Sequence, residues 1–421
     1  MHAGAWDRAA LAERLAKVLP AGAPDPARLA ARIYRRFGEG PPPSVTALAA
    51  FMREEKLLEP LFEGKGIRGP SLEPYAMGRR PDLLAAVPLP DLPTLRDVGR
   101  WLGLSDEEVS WFADVRFRQD KLTEPKLHHY HYSWIPKRSG GLRLIEMPKF
   151  RLKEIQRRIV REILGRIPPH DCAHGFTRGR SIRTFAEPHT GQYAVLRLDL
   201  KDFFHSVPIA RIAALFRSLG YPPKIARVLQ GLCTNAISPP LAGKPFEKLP
   251  WHERKALQDK HLPQGAPSSA PLANLCAWRL DCRLEGLAIR YGYRYTRYAD
   301  DLALSGPSSL ARRAEFIEAL VGAIATEEGF CLNYRKTRLR LSSQRQRLAG
   351  VVVNEKANCG RAEWDRLKAT LHNCAKHGPE GQNRGNHPAF KSHLEGRVAH
   401  FAWLNPARGE KLKSLLGRIV W

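Results

Sequence analysis

Residues 290–306, RYGYRYTRYADDLALSG, decide the fold of this 421-residue chain. Two runs of β-type residues meet at Ala299-Asp300-Asp301, which predicts two strands joined at an acidic connection. Acidic side chains within apolar β-runs are costly unless a cation or a hydrogen bond compensates them. The segment therefore predicts carboxylates with a chemical role at the end of a sheet, with a solvated structural turn as the alternative.

A second predicted strand, further upstream, also ends in a carboxylate. Residues 193–207, YAVLRLDLKDFFHSV, place an apolar run directly before Asp199. Carboxylates gathered from two strands repel one another unless they share cations, and hard oxygen ligands select Mg²⁺ or Mn²⁺. Two such ions would activate a 3′-hydroxyl and stabilise a leaving pyrophosphate during an in-line displacement.

The charge distribution points to a polyanionic partner. The chain has 68 Lys and Arg against 42 Asp and Glu, a net charge of +26. Residues 1–120 hold 17 basic and 17 acidic side chains, so the whole excess belongs to residues 121–421. Each phosphate that such a basic surface neutralises adds salt-sensitive affinity. A nucleic acid is favoured over an anionic membrane or a generally cationic surface.

The remaining composition limits the class of protein. An apolar fraction of 43% is typical of a globular chain, and no stretch is long and apolar enough to span a membrane. The seven cysteines are odd in number and scattered, which favours a reducing compartment over a disulfide framework. We therefore expect a cytoplasmic protein that does not act at a membrane.

Turn and capping signals predict further elements. Residues 1–90 are typical of helices interrupted by proline-rich segments, and residues 92–117 of two short helices separated at Gly103. Residues 131–148 predict a β-hairpin that turns at residues 139–141, Ser-Gly-Gly. A basic amphipathic helix follows the hairpin. The basic part of the chain is thus predicted to be one mixed unit of helices and strands.

Three motifs, in this order, resemble those of reverse transcriptases. Residues 198–204, LDLKDFF, resemble the first palm motif, residues 262–269, LPQGAPSS, are similar to the LPQGxxxS segment, and residues 298–301, YADD, resemble the YxDD box. The resemblance extends over residues 92–415 and is greatest to bacterial retron reverse transcriptases.

The resemblance implies an α+β right-hand polymerase fold, with fingers, a palm of antiparallel sheet plus helices, and a helical thumb. A helical N-terminal extension is expected over residues 1–90, and a helical pair with the fingers over 91–192. The palm, with inserted finger elements, is expected over 193–345, and the primer grip and thumb over 346–421.

The resemblance also implies roles for single residues. Asp199, Asp300 and Asp301 would be catalytic metal ligands, although alternation along a strand would turn Asp301 away from Asp300. Lys336 would donate a proton to pyrophosphate, or else be one more member of a basic run. Phe204 would be a flat apolar gate that rejects a ribose 2′-hydroxyl, with core packing as its alternative role.

Other residues are implied to bind the nucleotide or the nucleic acid. Gln264 and Gly265 would lie against the incoming nucleotide, where glycine permits close approach of the backbone. Lys137 and Arg143 of the hairpin would bind the triphosphate, with Arg138 as the alternative to Lys137. Contacts with nucleic-acid strands are expected from Arg180, Arg345 and Arg347.

The implied activity is synthesis of DNA from dNTPs on a structured non-coding RNA, with two Mg²⁺ ions, or Mn²⁺ in their place, as cofactors. Retron enzymes prime from a 2′-hydroxyl of that RNA and leave branched RNA–DNA, called msDNA. The family role is antiphage defence, normally with a separate effector protein.

Two segments depart from the retron pattern. Residues 185–189 read FAEPH instead of Asn-Ala-x-x-His, and residues 348–350 read LAG instead of Val-Thr-Gly. Both segments are associated with recognition of the cognate RNA. A non-retron defence-associated reverse transcriptase is therefore one alternative, and a catalytically silent RNA-binding scaffold on a polymerase fold is another.

Overall fold

The fold is known from a computed structural model of the chain. The structure describes residues 6–19, 24–38, 43, 48, 51–52, 55, 87–115, 119, 122, 124–137 and 140–421. The chain forms two compact units, Met1–Ala76 and Met77–Trp421. Within the described ranges, no helix has the length and apolar composition needed to cross a membrane.

Helices make up most of the described structure. They run over Arg8–Val18, Pro26–Phe37, Leu95–Leu102, Asp106–Ala113, Phe150–Glu162, Ile182–Ala186, Ile209–Ser218, Pro223–Cys233, Pro239–Ala242, Lys244–Glu247, Trp251–Gln258, Ser269–Cys276, Trp278–Tyr291, Ser308–Arg312, Ala314–Glu327, Arg361–His377, Phe390–Leu404 and Pro406–Leu416. Short 3-10 helices cover Pro125–Leu127, Leu164–Arg166, Glu187–His189, Tyr334–Lys336 and Glu380–Gln382.

The strands of the described residues form two hairpins and one larger sheet. They are β1 (Tyr130–Pro136), β2 (Leu142–Pro148), β3 (Ala194–Asp199), β4 (Arg294–Tyr298), β5 (Asp301–Gly306), β6 (Arg338–Leu341), β7 (Arg347–Leu348) and β8 (Val351–Val352). Strands β1 and β2 pair, β7 and β8 pair, and the four-stranded sheet has the order β4-β5-β3-β6. All these pairings are antiparallel. This mixture of helices with an antiparallel sheet agrees with the predicted α+β class.

The first unit contains two helices with side-chain caps. Asp7 accepts a hydrogen bond at the start of Arg8–Val18, and Asp25 does the same for Pro26–Phe37. Both helices bury leucine side chains in one small core. The predicted helices of this region are confirmed here, while most of residues 39–86 lie outside the described part of the chain.

The predicted helical pair and hairpin begin the second unit. The helix Leu95–Leu102 ends at Gly103, whose φ of 72° is left-handed, and Ser105 forms a capping box with Glu108. The hairpin β1–β2 turns through Gly140 and Gly141, both with positive φ. Both predictions are confirmed, because glycine and capping residues mark these boundaries in the sequence itself.

The four-stranded sheet is covered on both faces. In β3, Leu196 and Leu198 belong to the main core, which the helices of residues 95–327 surround. Val195 of β3 and Ala303 of β5 belong to a second core, formed with the helices that follow residue 360. Successive strand residues point to opposite faces, so Asp199 shares the face of Val195.

Candidate active site

Three aspartates meet at one end of the four-stranded sheet. Asp199 is the last residue of β3 and lies directly opposite Asp301, the first residue of β5. Asp300 lies in the two-residue turn between β4 and β5, where Tyr298 pairs with Asp301. Directly opposed residues of an antiparallel pair project from the same face, so Asp199 and Asp301 are neighbours there.

This register corrects two expectations. The acidic connection is shorter than predicted, because Asp301 belongs to β5 and only Ala299 and Asp300 form the turn. Alternation along a strand therefore does not govern the pair Asp300 and Asp301, since Asp300 is not a strand residue. Asp301 is brought to Asp199 by pairing between strands.

The backbone of the turn is held from several directions. Ala299 has φ of 55°, a left-handed conformation that residues with a Cβ rarely adopt. Leu200 donates a backbone hydrogen bond of 2.8 Å to the Asp300 carbonyl. Gly175 packs so closely that a Cβ there would lie 2.5 Å from the Ala299 nitrogen. The direction of the acidic side chains is thus determined by a strained, supported turn.

Two cations pair with two of the aspartates. Lys336 Nζ lies 2.9 Å from both carboxylate oxygens of Asp199, which is only 4% exposed. Arg197 Nε and Nη2 donate to Asp301 Oδ1 at 3.0 and 2.6 Å. Arg197 was missed by sequence reasoning, although a basic residue two positions before Asp199 in an apolar strand shares its face and was a usable signal.

Asp300 is the aspartate without such a cation, since the ion pairs of the described residues at this site go to Asp199 and Asp301. Burial raises the pKa of Asp300, and the charges of Asp301 and Asp199 raise it further. Burial also raises the pKa of Asp301, against the opposing effect of Arg197. A half-buried carboxylate such as Asp300, which lies among other carboxylates and pairs with no cation of the described residues, fits a hard divalent cation.

The carboxylate oxygens of the three aspartates are too far apart for all three to bind a single cation without moving. Among the described residues, the three aspartates are not a group whose ligand atoms all lie within 4.8 Å of one another. Asp199 and Asp301 are instead each paired with a protein cation, Lys336 and Arg197. A cation at this site would compete with Lys336 for Asp199.

Lys336 reaches the site through backbone pairing. Leu332 forms an isolated β-bridge with Leu200, and Asn333 donates a 2.7 Å backbone hydrogen bond to the Asp199 carbonyl. The 3-10 helix Tyr334–Lys336 follows immediately. Lys336 is therefore fixed beside Asp199 although the two are far apart in sequence.

The adjacent Phe203 and Phe204 have different environments. Phe203 is 4% exposed and stacks on Phe330 with ring centroids 5.7 Å apart. Phe204 is half-buried, with its ring 6.2 Å from that of the exposed Phe176. Phe203 is thus a core residue, while Phe204 keeps part of its ring accessible close to the aspartates in sequence.

The 262–269 segment packs against the hairpin. The Gln264 carbonyl accepts a 2.9 Å hydrogen bond from the backbone nitrogen of Glu146. Gly265 has φ of 131°, and a Cβ there would lie 2.9 Å from the Glu146 carbonyl oxygen. Lys137 and Arg143 are exposed at the turn end of the same hairpin. The structure therefore brings four of the five predicted nucleotide-binding residues, all except Phe204, to two connected segments.

A buried ion pair strengthens this connection and was missed by sequence reasoning. Glu146 Oε2 lies 2.7 Å from His261 Nε2, and His261 Nδ1 donates to the Asp259 carbonyl at 2.7 Å. Burial alone would lower the pKa of His261, but the Glu146 carboxylate more than offsets this and the pKa is raised. An acidic residue within the apolar strand LRLIEMP was the available signal.

The three predicted nucleic-acid contacts differ in availability. Arg180 donates to the carbonyls of His170 and Ala173 at 3.1 and 2.9 Å and pairs with Asp171 at 2.8 Å. The Arg180 guanidinium is therefore occupied by hydrogen bonds within its own loop. This arrangement does not support a contact with nucleic acid. Arg345 is exposed, and Arg347 is exposed beside the β7–β8 turn while pairing with Glu363 at 3.0 Å.

Comparison with known proteins agrees with this geometry. Residues 135–357 match the family described as reverse transcriptase (RNA-dependent DNA polymerase). The retron Mx65 reverse transcriptase of Myxococcus xanthus is 40% identical over 329 residues, which cover 78% of this chain and 72% of that protein. The retron Mx162 reverse transcriptase of the same organism is 35% identical over 336 residues, 76% of this chain and 66% of that protein.

More distant similarities were also found. The retron Ec86 reverse transcriptase of Escherichia coli is 33% identical over 240 residues, 56% of this chain and 67% of that protein. Among solved structures, telomerase from Candida albicans in complex with a fragment of telomeric RNA aligns with a TM-score of 0.33 and 13% identity. That alignment covers 68% of this chain and 56% of the telomerase chain.

Proposed function

Because the chain belongs to the reverse transcriptase family and is a retron-type RNA-directed DNA polymerase, we propose that it copies a structured non-coding RNA into DNA at a centre formed by Asp199, Asp300 and Asp301. The observation that carries the proposal is the pairing of Asp199 directly opposite Asp301, with Asp300 in the adjoining turn. This arrangement gathers three carboxylates where a nucleotidyl transfer needs negative oxygen ligands.

Reverse transcriptases use a divalent metal ion, and we propose Mg²⁺ for this enzyme, with Mn²⁺ able to replace it. Held by Asp199, Asp300 and Asp301, two such ions would supply the Lewis-acid chemistry that activates a primer 3′-hydroxyl and stabilises a leaving pyrophosphate. The three aspartates supply the oxygens, and the absence of an ion pair at Asp300 within the described chain supports this assignment. In this proposal Lys336, whose ammonium lies 2.9 Å from Asp199, donates a proton to pyrophosphate.

The same site receives a dNTP in this proposal. Lys137 and Arg143 bind the triphosphate, because both are exposed on the hairpin that packs against Gln264 and Gly265. The absence of a Cβ at Gly265 lets its backbone lie close to the Glu146 carbonyl of that hairpin. Phe204 presents the accessible part of its ring to the sugar, which leaves a 2′-hydroxyl crowded and without a hydrogen-bond partner.

The right-hand polymerase fold of the family suggests how the parts are named. We assign the hairpin β1–β2 to the fingers, the four-stranded sheet to the palm, and the helices after residue 360 to the thumb. Arg345 and the β7–β8 turn with Arg347 would contact the primer strand. The net charge of +26, concentrated in residues 121–421, supports the binding of RNA and its DNA product.

The similarity to retron reverse transcriptases suggests a priming mode and a biological role for this enzyme. We propose that synthesis starts from a 2′-hydroxyl of the template RNA and that the branched product acts in antiphage defence together with a separate effector protein. The similarity to the retron Mx65 and Mx162 enzymes supports this assignment. The departures at residues 185–189 and 348–350 leave the identity of the cognate RNA to experiment.

The test is to express the protein together with its native flanking DNA, purify it, and sequence the nucleic acid that copurifies. The matched control is the Asp300→Ala/Asp301→Ala variant, which retains the basic surfaces. A discrete DNA joined to a structured RNA through a 2′–5′ branch, absent from the variant, is the expected result.

Other outcomes distinguish the alternatives. Unbranched DNA that depends on the two aspartates would retain the polymerase and replace the retron type by another defence-associated class. RNA alone, identical in both preparations, would favour a silent RNA-binding scaffold and contradict the proposed activity.

A further inference from the structure

A fully buried arginine lies behind the acidic turn. Arg297 is in β4, two residues before Ala299, and its side chain is 0% exposed. Its Nε and Nη2 donate to Asp281 Oδ1 and Oδ2 at 2.8 and 2.6 Å, and Asp281 is also 0% exposed. The paired donors of a guanidinium match the two oxygens of a carboxylate, which fixes the orientation of the whole group.

The remaining nitrogen of this guanidinium, Nη1, forms a hydrogen bond with the backbone of the turn. Arg297 Nη1 donates to the Ala299 carbonyl at 3.1 Å and to Asn274 Oδ1 at 2.9 Å. Asn274 in turn donates to the Gly175 carbonyl at 2.7 Å, and Gly175 packs on the Ala299 nitrogen. Ala299 is therefore held at both its nitrogen and its carbonyl by one connected network.

The two faces of the sheet separate this network from the aspartates. Arg297 pairs with Leu302, whereas Asp301 pairs with Tyr298 and Asp199, so Arg297 projects from the opposite face. Its side chain packs among core residues, with the guanidinium 5.5 Å from the Phe203 ring. Arg297 therefore acts on the centre only through the backbone of the turn.

We propose that Arg297, oriented by Asp281, is a positioning residue that holds Ala299 in its left-handed conformation and thereby directs Asp300 toward Asp199. The inference rests on the proposed function, because it concerns the geometry of that catalytic centre. A left-handed φ is unfavourable for a residue with a Cβ, and contacts with the surroundings offset that cost. Small displacements of catalytic groups are costly, since about 1 Å reduces rates by about 100-fold.

If the ion pair of Arg297 and Asp281 only stabilised the fold, its removal would have a different effect on the reaction rate. Replacing both members of a buried ion pair by apolar residues is often neutral or stabilising, whereas removing one member leaves an uncompensated charge. The double variant Arg297→Met/Asp281→Leu therefore removes the hydrogen bond to Ala299 without leaving a lone buried charge. If the pair only stabilised the fold, this variant would remain active.

The experiment compares the wild type, the double variant and Arg297→Lys in single-turnover primer extension on an RNA template. Thermal unfolding, RNA affinity and the Mg²⁺ concentration for half-maximal rate are measured alongside. Phe216→Leu, a fully buried core substitution, calibrates what lost stability alone does to the rate. We expect the double variant to keep its RNA affinity within about threefold, lose about 100-fold in rate and need more Mg²⁺.

The outcomes are distinct. A folded double variant with a rate within threefold of wild type, or with a loss no larger than that of Phe216→Leu at equal loss of Tm, overturns the inference. If the double variant does not fold, the Arg297→Lys variant provides the test, because it keeps the positive charge but loses the planar, paired donors of a guanidinium. An unchanged rate and an unchanged Mg²⁺ requirement in this variant would overturn the inference. A wild type without any synthesis would instead refute the proposed function.

Discussion

The buried side chain of His189 makes the stability of the fold depend on pH. The side chain is 0% exposed and lies between Ser305 of β5 and Thr296 of β4, with both ring nitrogens 2.7 Å from a hydroxyl oxygen. Burial lowers the pKa of His189 to about 3. The neutral imidazole thus connects the 3-10 helix Glu187–His189 to strands β4 and β5 through two hydrogen bonds.

The pH dependence follows from this depressed pKa. An unfolded histidine has a pKa of about 6.5, so as the pH falls the unfolded state binds the proton first. Stability is therefore lost progressively from about pH 6.5 down to about pH 3. At pH 4.5 the loss is about 2.7 kcal/mol, from two pH units at about 1.36 kcal/mol each. For the unit Met77–Trp421, with an unfolding entropy of about 0.7 kcal/mol/K, this lowers Tm by about 4 °C.

The assay is thermal unfolding of the full chain between pH 7.0 and 4.5, with His189→Gln as the variant. Glutamine keeps a donor and an acceptor but does not titrate in this range. We expect the Tm of the wild type to fall about 4 °C more than that of the variant. His131→Gln, which removes an exposed histidine of β1, is the matched control and should follow the wild type. Equal losses of Tm in wild type and His189→Gln would refute the reasoning.

Three further predictions concern the site. Burial raises the pKa of Asp300, so its charge destabilises the fold at neutral pH; Asp300→Asn should abolish synthesis yet raise Tm in EDTA by about 1–2 °C. Phe204→Ala should increase incorporation of rNTPs relative to dNTPs about tenfold or more in primer extension, whereas Phe203→Ala should mainly lower Tm, by about 4–7 °C. Gly265→Ala should raise KM for dNTPs about tenfold, because its φ and a nearby carbonyl leave no room for a Cβ, while Gly286→Ala, which meets no atom within 4 Å, should not.

Local elements could be predicted from the sequence because their signals are local. Gly103 ends a helix, Ser105 begins the next, and two glycines close the β1–β2 hairpin. The strands that carry Asp199 and Asp301 are marked by apolar residues on both sides. In each case a few neighbouring residues determine the backbone conformation, so no knowledge of the partner segment is required.

Relations between distant segments could not be obtained in this way. The register that places Asp199 opposite Asp301 depends on how whole strands pair, and the salt bridge to Lys336 depends on a third segment. Arg180 shows the converse, since the family resemblance implied a contact with nucleic acid but nearby carbonyls occupy its donors. Charge alone does not reveal whether a side chain turns toward solvent or toward its own loop.

The two-sided burial of the sheet limits how this enzyme can be recombined with its relatives. Val195 and Ala303 complete a core whose other members include residues of the C-terminal helices. A chimera that imported only residues 346–421 from another enzyme would join two surfaces that had not been selected together. We expect a chimera to be functional only when the residues on that face of β3 and β5 are replaced together with the C-terminal segment. The C-terminal helices and the strand residues that they cover would then come from the same enzyme.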